Sequence, residues 1–134
     1  AVVVADLSCR MLAEARQKDG LLPVCSHTET LPFVDESFAR IIMVDALHHV
    51  CDQRSTLDEL WRLLQPGGIL VIEEPDVNSF MVKLLALAEK LALMRSHFLS
   101  PQRIADLLHH PNGQVRIETE KHIAWVVVKK GNDS

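Results

Sequence analysis

The chain lacks the short signatures of the common hydrolytic and phosphate-cleaving sites: no Gly-x-Ser-x-Gly elbow, no P-loop and no zinc-ligand cluster. Its cysteines, Cys9, Cys25 and Cys51, form no Cys-x-x-Cys pair and are odd in number. That argues against a disulfide framework and for a reduced, cytoplasmic setting in which they act as small buried hydrophobes. A positive field is also lacking. With 14 lysines and arginines against 18 aspartates and glutamates, the net charge is −4, which leaves no broad surface for nucleic-acid phosphates. The apolar stretch from Phe80 to Leu99 is broken by Lys83, Glu89, Lys90 and Arg95, too many charges for a membrane span. The opening Ala-Val-Val-Val-Ala has no basic region before it meets Asp6, and reads as a buried strand rather than a signal peptide.

What is present is a single domain over 1–134, 48% hydrophobic and long enough to build a core without staples. Strand and helix alternate along it. Val2 to Ala5 is β-branched, Ser8 caps a helix with Met11, Leu12 and Ala15 on its apolar face, and Gly20 ends that helix. Leu22 to Cys25 and Phe38 to Val44 read as strands on either side of a loop through Leu31-Pro32-Phe33. The next helix places Leu57, Leu60, Trp61 and Leu64 on one face, its start open between Asp52 as cap and a capping box from Thr56 to Glu59. Pro66-Gly67-Gly68 stops it as a turn, and Ile69 to Ile72 follows as a strand.

Phe80 to His97 has the character of a long helix, and Pro101 to His109 of a shorter one capped by Ser100. The chain ends in two strands, Val115 to Lys121 and Ile123 to Lys129, joined tightly at Lys121-His122. The pattern predicts an α/β sandwich with a mostly parallel sheet and a C-terminal antiparallel hairpin. In such sheets ligands bind outside the carboxyl ends of the strands. The segments to watch are therefore 6–8, 26–29, 44–49 and 73–76.

Asp6 closes the first strand, where its carboxylate can accept both hydroxyls of a ribose or serve as a polar cap beside Ser8. His48 and His49 follow a buried strand, and adjacent residues point to different sides, so they are no same-face metal pair. His48 is a candidate general base near neutral pH, with a surface loop histidine as the alternative. His109 and His110, at a helix end, complement its dipole. Glu73 and Glu74 diverge as they leave their strand with no facing partner, and read as a rim.

Taken together, Val3-Val4-Ala5-Asp6-Leu7-Ser8-x-x-Met11-Leu12, Leu31-Pro32-Phe33-x-Asp35-x-Ser37-Phe38, Ala46-Leu47-His48-His49-Val50 and Leu63-Leu64-Gln65-Pro66-Gly67-Gly68-x-Leu70 resemble the class I S-adenosylmethionine-dependent methyltransferases. The resemblance is strongest to their small-molecule type 11 branch, which includes ubiquinone and menaquinone biosynthesis methyltransferases. It spans residues 1–74, and Phe98-Leu99-Ser100-Pro101 with the terminal hairpin looks like the rest of that Rossmann-like fold. It implies S-adenosylmethionine as cofactor, a small apolar methyl acceptor, and no metal. It further implies that Asp6 holds the ribose, Leu7 and Met11 line the adenine, and His27 and Thr28 flank its edge. Val44, Asp45, Ala46 and Leu47 run beside the methionine part, and His48 takes an acceptor proton. The helix from Phe80 to Met94, with Phe98, covers the acceptor.

The chain departs from the family in several places. Ser26-His27 stands where Gly-Asp is usual, and Ala39 follows Phe38 where the family has Asp. The family also begins with a central strand running into a Gly-x-Gly-x-Gly turn, whereas the glycines here, Gly20, Gly67, Gly68, Gly113 and Gly131, form no Gly-x-Gly. The first, central strand and its glycine-rich turn are missing from this sequence. Two unpaired sheet edges would follow, open to a second copy of the chain and hence to a homo-oligomer. The start without Met favours reading the sequence as a fragment of a longer chain. The alternative function is a domain that has lost the cofactor turn and serves in dimerisation or partner binding.

Overall fold

The computed structural model describes residues 1–91 and 97–132. The chain runs β1 (Val2–Asp6), α1 (Cys9–Ala15), β2 (Leu21–Cys25), β3 (Phe38–Val44), a 3-10 turn (Leu47–His49) and α2 (Gln53–Leu63), then β4 (Leu64–Pro75) and α3 (Phe80–Leu91), and finally α4 (Pro101–Leu107), β5 (Gly113–Glu120) and β6 (Ile123–Lys130). Of the helix expected over Phe80 to His97, α3 accounts for the first part; positions 92–96, with Met94 and Arg95, lie outside the described residues. His97 is not helical.

The strands form two sheets. In one, β1 and β2 pair in parallel, from Val2 opposite Leu21 to Asp6 opposite Cys25. The other has the order β3-β4-β6-β5; β3 and β4 are parallel, and β6 is antiparallel to both its neighbours. The larger sheet is therefore mixed, where a mostly parallel sheet with a C-terminal antiparallel hairpin was expected: β5 and β6 do form that hairpin, and β6 adds a second antiparallel pairing with β4. Its two-residue turn places Lys121 at a φ of 56°.

β4 is longer than its β-branched run suggested. It begins at Leu64, directly where α2 ends, and Pro66-Gly67-Gly68 lies within it at the register shift between Phe38 and Arg40 on β3. Gly67 adopts a φ of 74°, the conformation that glycine takes at no steric cost. The segment is thus a bulge inside a strand rather than a turn between elements.

From Gly68 onward every second residue of β4 is buried: Gly68, Leu70, Ile72 and Glu74. On β6 the buried set is Ala124, Val126, Val128 and Lys130. Leu57 and Leu60 of α2, and Ile104 and Leu108 of and after α4, pack on this face with Met43 and Leu47. Each apolar stripe ends on a charge, and antiparallel pairing puts the two charges at opposite ends of the sheet. At one end the Lys130 ammonium donates to the Leu64 carbonyl at 2.9 Å and sits 5.3 Å from the Trp61 ring centroid. His110 stacks on the other part of this arrangement, 4.1 Å from Trp61, and burial pushes its imidazole down in pKa. His110 is accordingly a packing partner, not the dipole cation expected of it.

Asp52 is the cap of α2, accepting the Ser55 N–H at 2.9 Å. Arg62 on the same helix ties down the connector after β2. It donates to Glu59 Oε1 at 2.6 Å, Asp35 Oδ1 at 2.6 Å and the Phe33 carbonyl at 3.0 Å, while the Leu31 N–H donates to Glu59 Oε1 at 2.8 Å. The Leu31-Pro32-Phe33 loop is thereby fixed to the large sheet's helix.

Candidate functional site

The sequence-predicted residues fall into two clusters, each at the carboxyl end of a parallel strand pair. In the first, Asp6 ends β1 and its Oδ1 accepts the Ser8 N–H at 2.7 Å. Ser8 in turn caps α1, accepting the Met11 N–H at 3.3 Å. Asp6 is therefore both a turn former and a strand-end carboxylate with a second oxygen to offer. Leu7 and Met11 are 56% and 63% exposed, an arrangement that leaves apolar surface beside a carboxylate. The Ser26 N–H donates to the Asp6 carbonyl at 3.2 Å, so the segment leading to His27 and Thr28 abuts the end of β1. His27 is exposed and 4.0 Å from Glu29; Thr28 shares a 3.0 Å hydroxyl contact with Thr56 of α2.

The second cluster is built on β3 and β4. Val44, exposed, ends β3, and Asp45 follows at a φ of 49°, a left-handed conformation that aspartate tolerates better than most residues. The Asp45 N–H donates to the Glu73 carbonyl at 2.9 Å. The chain then turns so that the N–H groups of Ala46 and Leu47 both donate to Glu74 Oε1, at 3.0 and 2.7 Å. Glu74 Oε2 meets His48 Nδ1 at 2.6 Å. With an ionised carboxylate as acceptor, Nδ1 carries a proton, and in the neutral ring Nε2 is then the acceptor.

His48 is 4% exposed, while Asp45, whose Oδ1 lies 3.9 Å from His48 Nε2, is 70% exposed. The second ring nitrogen is thus directed toward Asp45, at the exposed edge of a buried imidazole. Phe98 stacks on the imidazole at 4.5 Å and 13°, and His49 tilts against it at 4.0 Å. The His48 carbonyl accepts the His97 N–H at 2.7 Å, and Gln53 Nε2 bridges the carbonyls of Leu47 and His97 at 3.0 and 2.6 Å. Leu47 sends its side chain into the core, so only its main chain reaches the site.

Glu74 corrects the reading of Glu73 and Glu74 as a rim without a facing partner. It lies where the buried stripe of β4 would place a leucine, and burial of a carboxylate there costs several kcal/mol unless it is hydrogen-bonded. Its three donors supply that compensation. The signal was the alternation Gly68, Leu70, Ile72, Glu74, which puts a charge on the apolar face. Glu73 turns the other way and accepts the Trp125 indole N–H at 2.7 Å. The expectation that the cysteines are buried is also corrected: Cys9, Cys25 and Cys51 are all exposed.

Residues 1–72 match the family model described as a methyltransferase domain. The chain is 40% identical over 72 residues to a demethylmenaquinone methyltransferase of Mycobacterium sp. (strain KMS), a match over 54% of this chain and 31% of that protein. It is 34% identical over 80 residues to the ubiquinone/menaquinone biosynthesis C-methyltransferase UbiE of Pectobacterium carotovorum, over 54% and 32% respectively. The chain spans about a third of the length of the curated relatives it matches. Among solved structures, a SAM-dependent methyltransferase of Thermotoga maritima, described as a possible histamine N-methyltransferase, superposes with a TM-score of 0.82 at 23% identity, over 94% of this chain and 72% of that one. An S-adenosylmethionine-dependent methyltransferase of Mesorhizobium loti gives 0.78 at 19% identity, over 96% and 80%.

Proposed function

The chain belongs to the methyltransferase domain family, in the type 11 branch that uses S-adenosylmethionine, and from this premise we propose that it takes part in methyl transfer to a small apolar acceptor. The observation that carries the reading is the pair of strand-end clusters: a ribose-ready carboxylate at Asp6, and a histidine held by Glu74 at the end of β4. The residues present fit the cofactor. Asp6 has an oxygen left for ribose hydroxyls, Leu7 and Met11 offer exposed apolar faces of the kind a purine covers, and the Ser26 N–H bond to the Asp6 carbonyl brings the segment of His27 and Thr28 to the end of the same strand. Val44, Asp45 and the main chain of Ala46 and Leu47 form the wall for the amino-acid part.

When bound, S-adenosylmethionine supplies the activated methyl group on its sulfonium, so the protein's task is alignment and proton management. His48 is the residue assigned to remove a proton from the acceptor through Nε2. Glu74 is a positioning residue: it fixes the His48 tautomer and, by holding the N–H groups of Ala46 and Leu47, the wall beside it. Met81, Leu84, Leu85 and Leu87 on α3 are exposed, which supports an apolar acceptor; quinone precursors of the kind named for the relatives are of this class.

A second reading is favoured by the separation of the sheets. β1 pairs with β2 alone and β3 ends the order of the larger sheet, and Ile42 on β3 is 70% exposed. Such edges suit pairing with a second copy or a partner. Calorimetric titration with S-adenosylhomocysteine separates the readings: binding that disappears in Asp6→Ala is the expected result, and absence of binding in a folded sample favours the partner-binding domain.

A further inference from the structure

The exposed thiols of Cys9 and Cys25 lie with their sulfurs 3.2 Å apart, sixteen residues apart in sequence. Cys9 opens α1 and Cys25 ends β2, so the pair spans the mouth of the loop that carries Asp6, Leu7 and Ser8. The Cys25 thiol also lies 3.7 Å from the Leu7 carbonyl oxygen. Both cysteines line an open groove of about 210 Å³, together with Leu12, Ala13, Arg16 and Pro23. Small solutes therefore reach the pair without any rearrangement of the core.

We propose that Cys9 and Cys25 are a redox-active dithiol whose oxidation by a hydroperoxide closes a disulfide across this loop. The sulfur–sulfur separation requires only a local approach of about 1 Å to reach bonding distance. In the first step the sulfur of Cys9 attacks one peroxide oxygen, the O–O bond breaks, and a sulfenic acid and an alcohol (water, when the oxidant is hydrogen peroxide) result. In the second, the sulfur of Cys25 displaces the sulfenic oxygen, which leaves as water with the protons of the two thiols accounted for. Overall two thiols and one hydroperoxide give one disulfide, one alcohol and one water; the two sulfurs lose two electrons and the O–O bond gains them.

The order of the two cysteines follows from their surroundings. The contact with Cys9 holds the Cys25 thiol above its ordinary pKa, and the thiol can donate to the Leu7 carbonyl at 3.7 Å, which likewise favours its protonated form; this suits Cys25 as the resolving partner and leaves Cys9, at the start of α1, as the first nucleophile. The disulfide would restrain the loop holding Asp6 and Leu7 by joining its two flanks.

The test is thiol counting and intact-mass measurement on the chain before and after hydrogen peroxide. The expected result is a fall from three free thiols to one, a monomer mass lower by two hydrogen atoms, and restoration by dithiothreitol. Cys51→Ser should leave that loss intact, and Cys9→Ser should abolish it. Cys25→Ser should trap a dimedone-reactive sulfenic acid at Cys9. Three thiols remaining after treatment, linkage through Cys51, or disulfides only between chains would overturn the proposal.

Discussion

The two sheets differ in what holds them. The larger, β3-β4-β6-β5, carries nearly the whole core: Leu57, Leu63, Leu70, Ile72, Ile104, Val126 and Val128 are sealed from solvent against it. In the smaller unit of β1, α1 and β2, only Leu12 is buried, while Val2, Leu7, Met11 and Leu22 are exposed. The small unit is held by strand pairing, by the Ser26 to Asp6 main-chain bond and by the connector that Arg62 and Thr56 fasten to α2. Burial and the proposed ligand contacts are thus divided between the two units. The His48–Glu74 pair, which we propose handles the proton, is built into the core's edge, whereas the residues proposed to meet the nucleoside lie on a unit that keeps its apolar side chains exposed.

The largest expected effect lies in the packed sheet. Leu70→Ala should cost about 2–5 kcal/mol, since the side chain is fully enclosed, whereas Leu22→Ala, on an exposed position of β2, should cost less than about 0.5 kcal/mol. Equal losses in urea titrations would erase the contrast between the sheets. Next in size is Glu74→Ala, which strands the Ala46 and Leu47 N–H groups and His48; a loss of about 3 kcal/mol is expected, together with loss of transfer activity. Glu74→Gln sharpens the point, because folding should survive while the pH profile of transfer changes. Unaltered profile and rate would limit Glu74 to structure.

Asp6→Ala reads the opposite face of the comparison. It should lower affinity for S-adenosylhomocysteine by at least tenfold, about 1.4 kcal/mol, and cost about 1 kcal/mol of stability through the lost bond to the Ser8 N–H. A melting curve shifted as far as that of Leu70→Ala would mean the small unit bears more of the fold than its burial indicates. The smallest effect concerns the connector. The Arg62 hydrogen bond holds the Glu59 carboxyl below its ordinary value of 4.5, against some burial. Its stabilisation is therefore complete above that value and lost as pH falls through the lower folded one. Thermal scans from pH 6 to pH 3 should show a decline below about 4.5 that Glu59→Gln reduces; an identical decline in the variant would place the acid sensitivity elsewhere.

Much of this architecture was legible along the chain because burial imposes a period. The β-branched runs at Val2, Ile41 and Ile69 marked strands, and Leu57 and Leu60 marked the buried face of α2, although Leu64, expected on that face, opens β4 and Leu63 takes the last buried position of the helix. What escaped depends on pairing between distant residues. Nothing local shows that β6 lies beside β4, so the mixed sheet was not visible. Nor could adjacency within Glu73-Glu74 disclose that one carboxylate faces His48 and the other Trp125; only the alternation through Leu70 and Ile72 carried that information. Cys9 and Cys25 read singly as buried hydrophobes, and their approach arises from the parallel pairing of β1 with β2. Pro66-Gly67-Gly68 misled for a different reason, since a glycine at positive φ serves a bulge as well as a turn.

If the packed sheet holds the His48–Glu74 pair rigidly and the lightly packed unit of β1, α1 and β2 gains its cover from the cofactor, as we propose, the two units should differ in backbone protection. Amide hydrogen exchange followed by mass spectrometry, with and without S-adenosylhomocysteine, reads that difference. Slow exchange is expected over 68–74 and 124–128 in both states, fast exchange over 2–25 in the free chain, and slowing over 4–12 and 44–48 on addition of ligand. Uniform protection of both units in the free chain, or exchange over 4–12 and 44–48 that the ligand leaves unchanged, would contradict it.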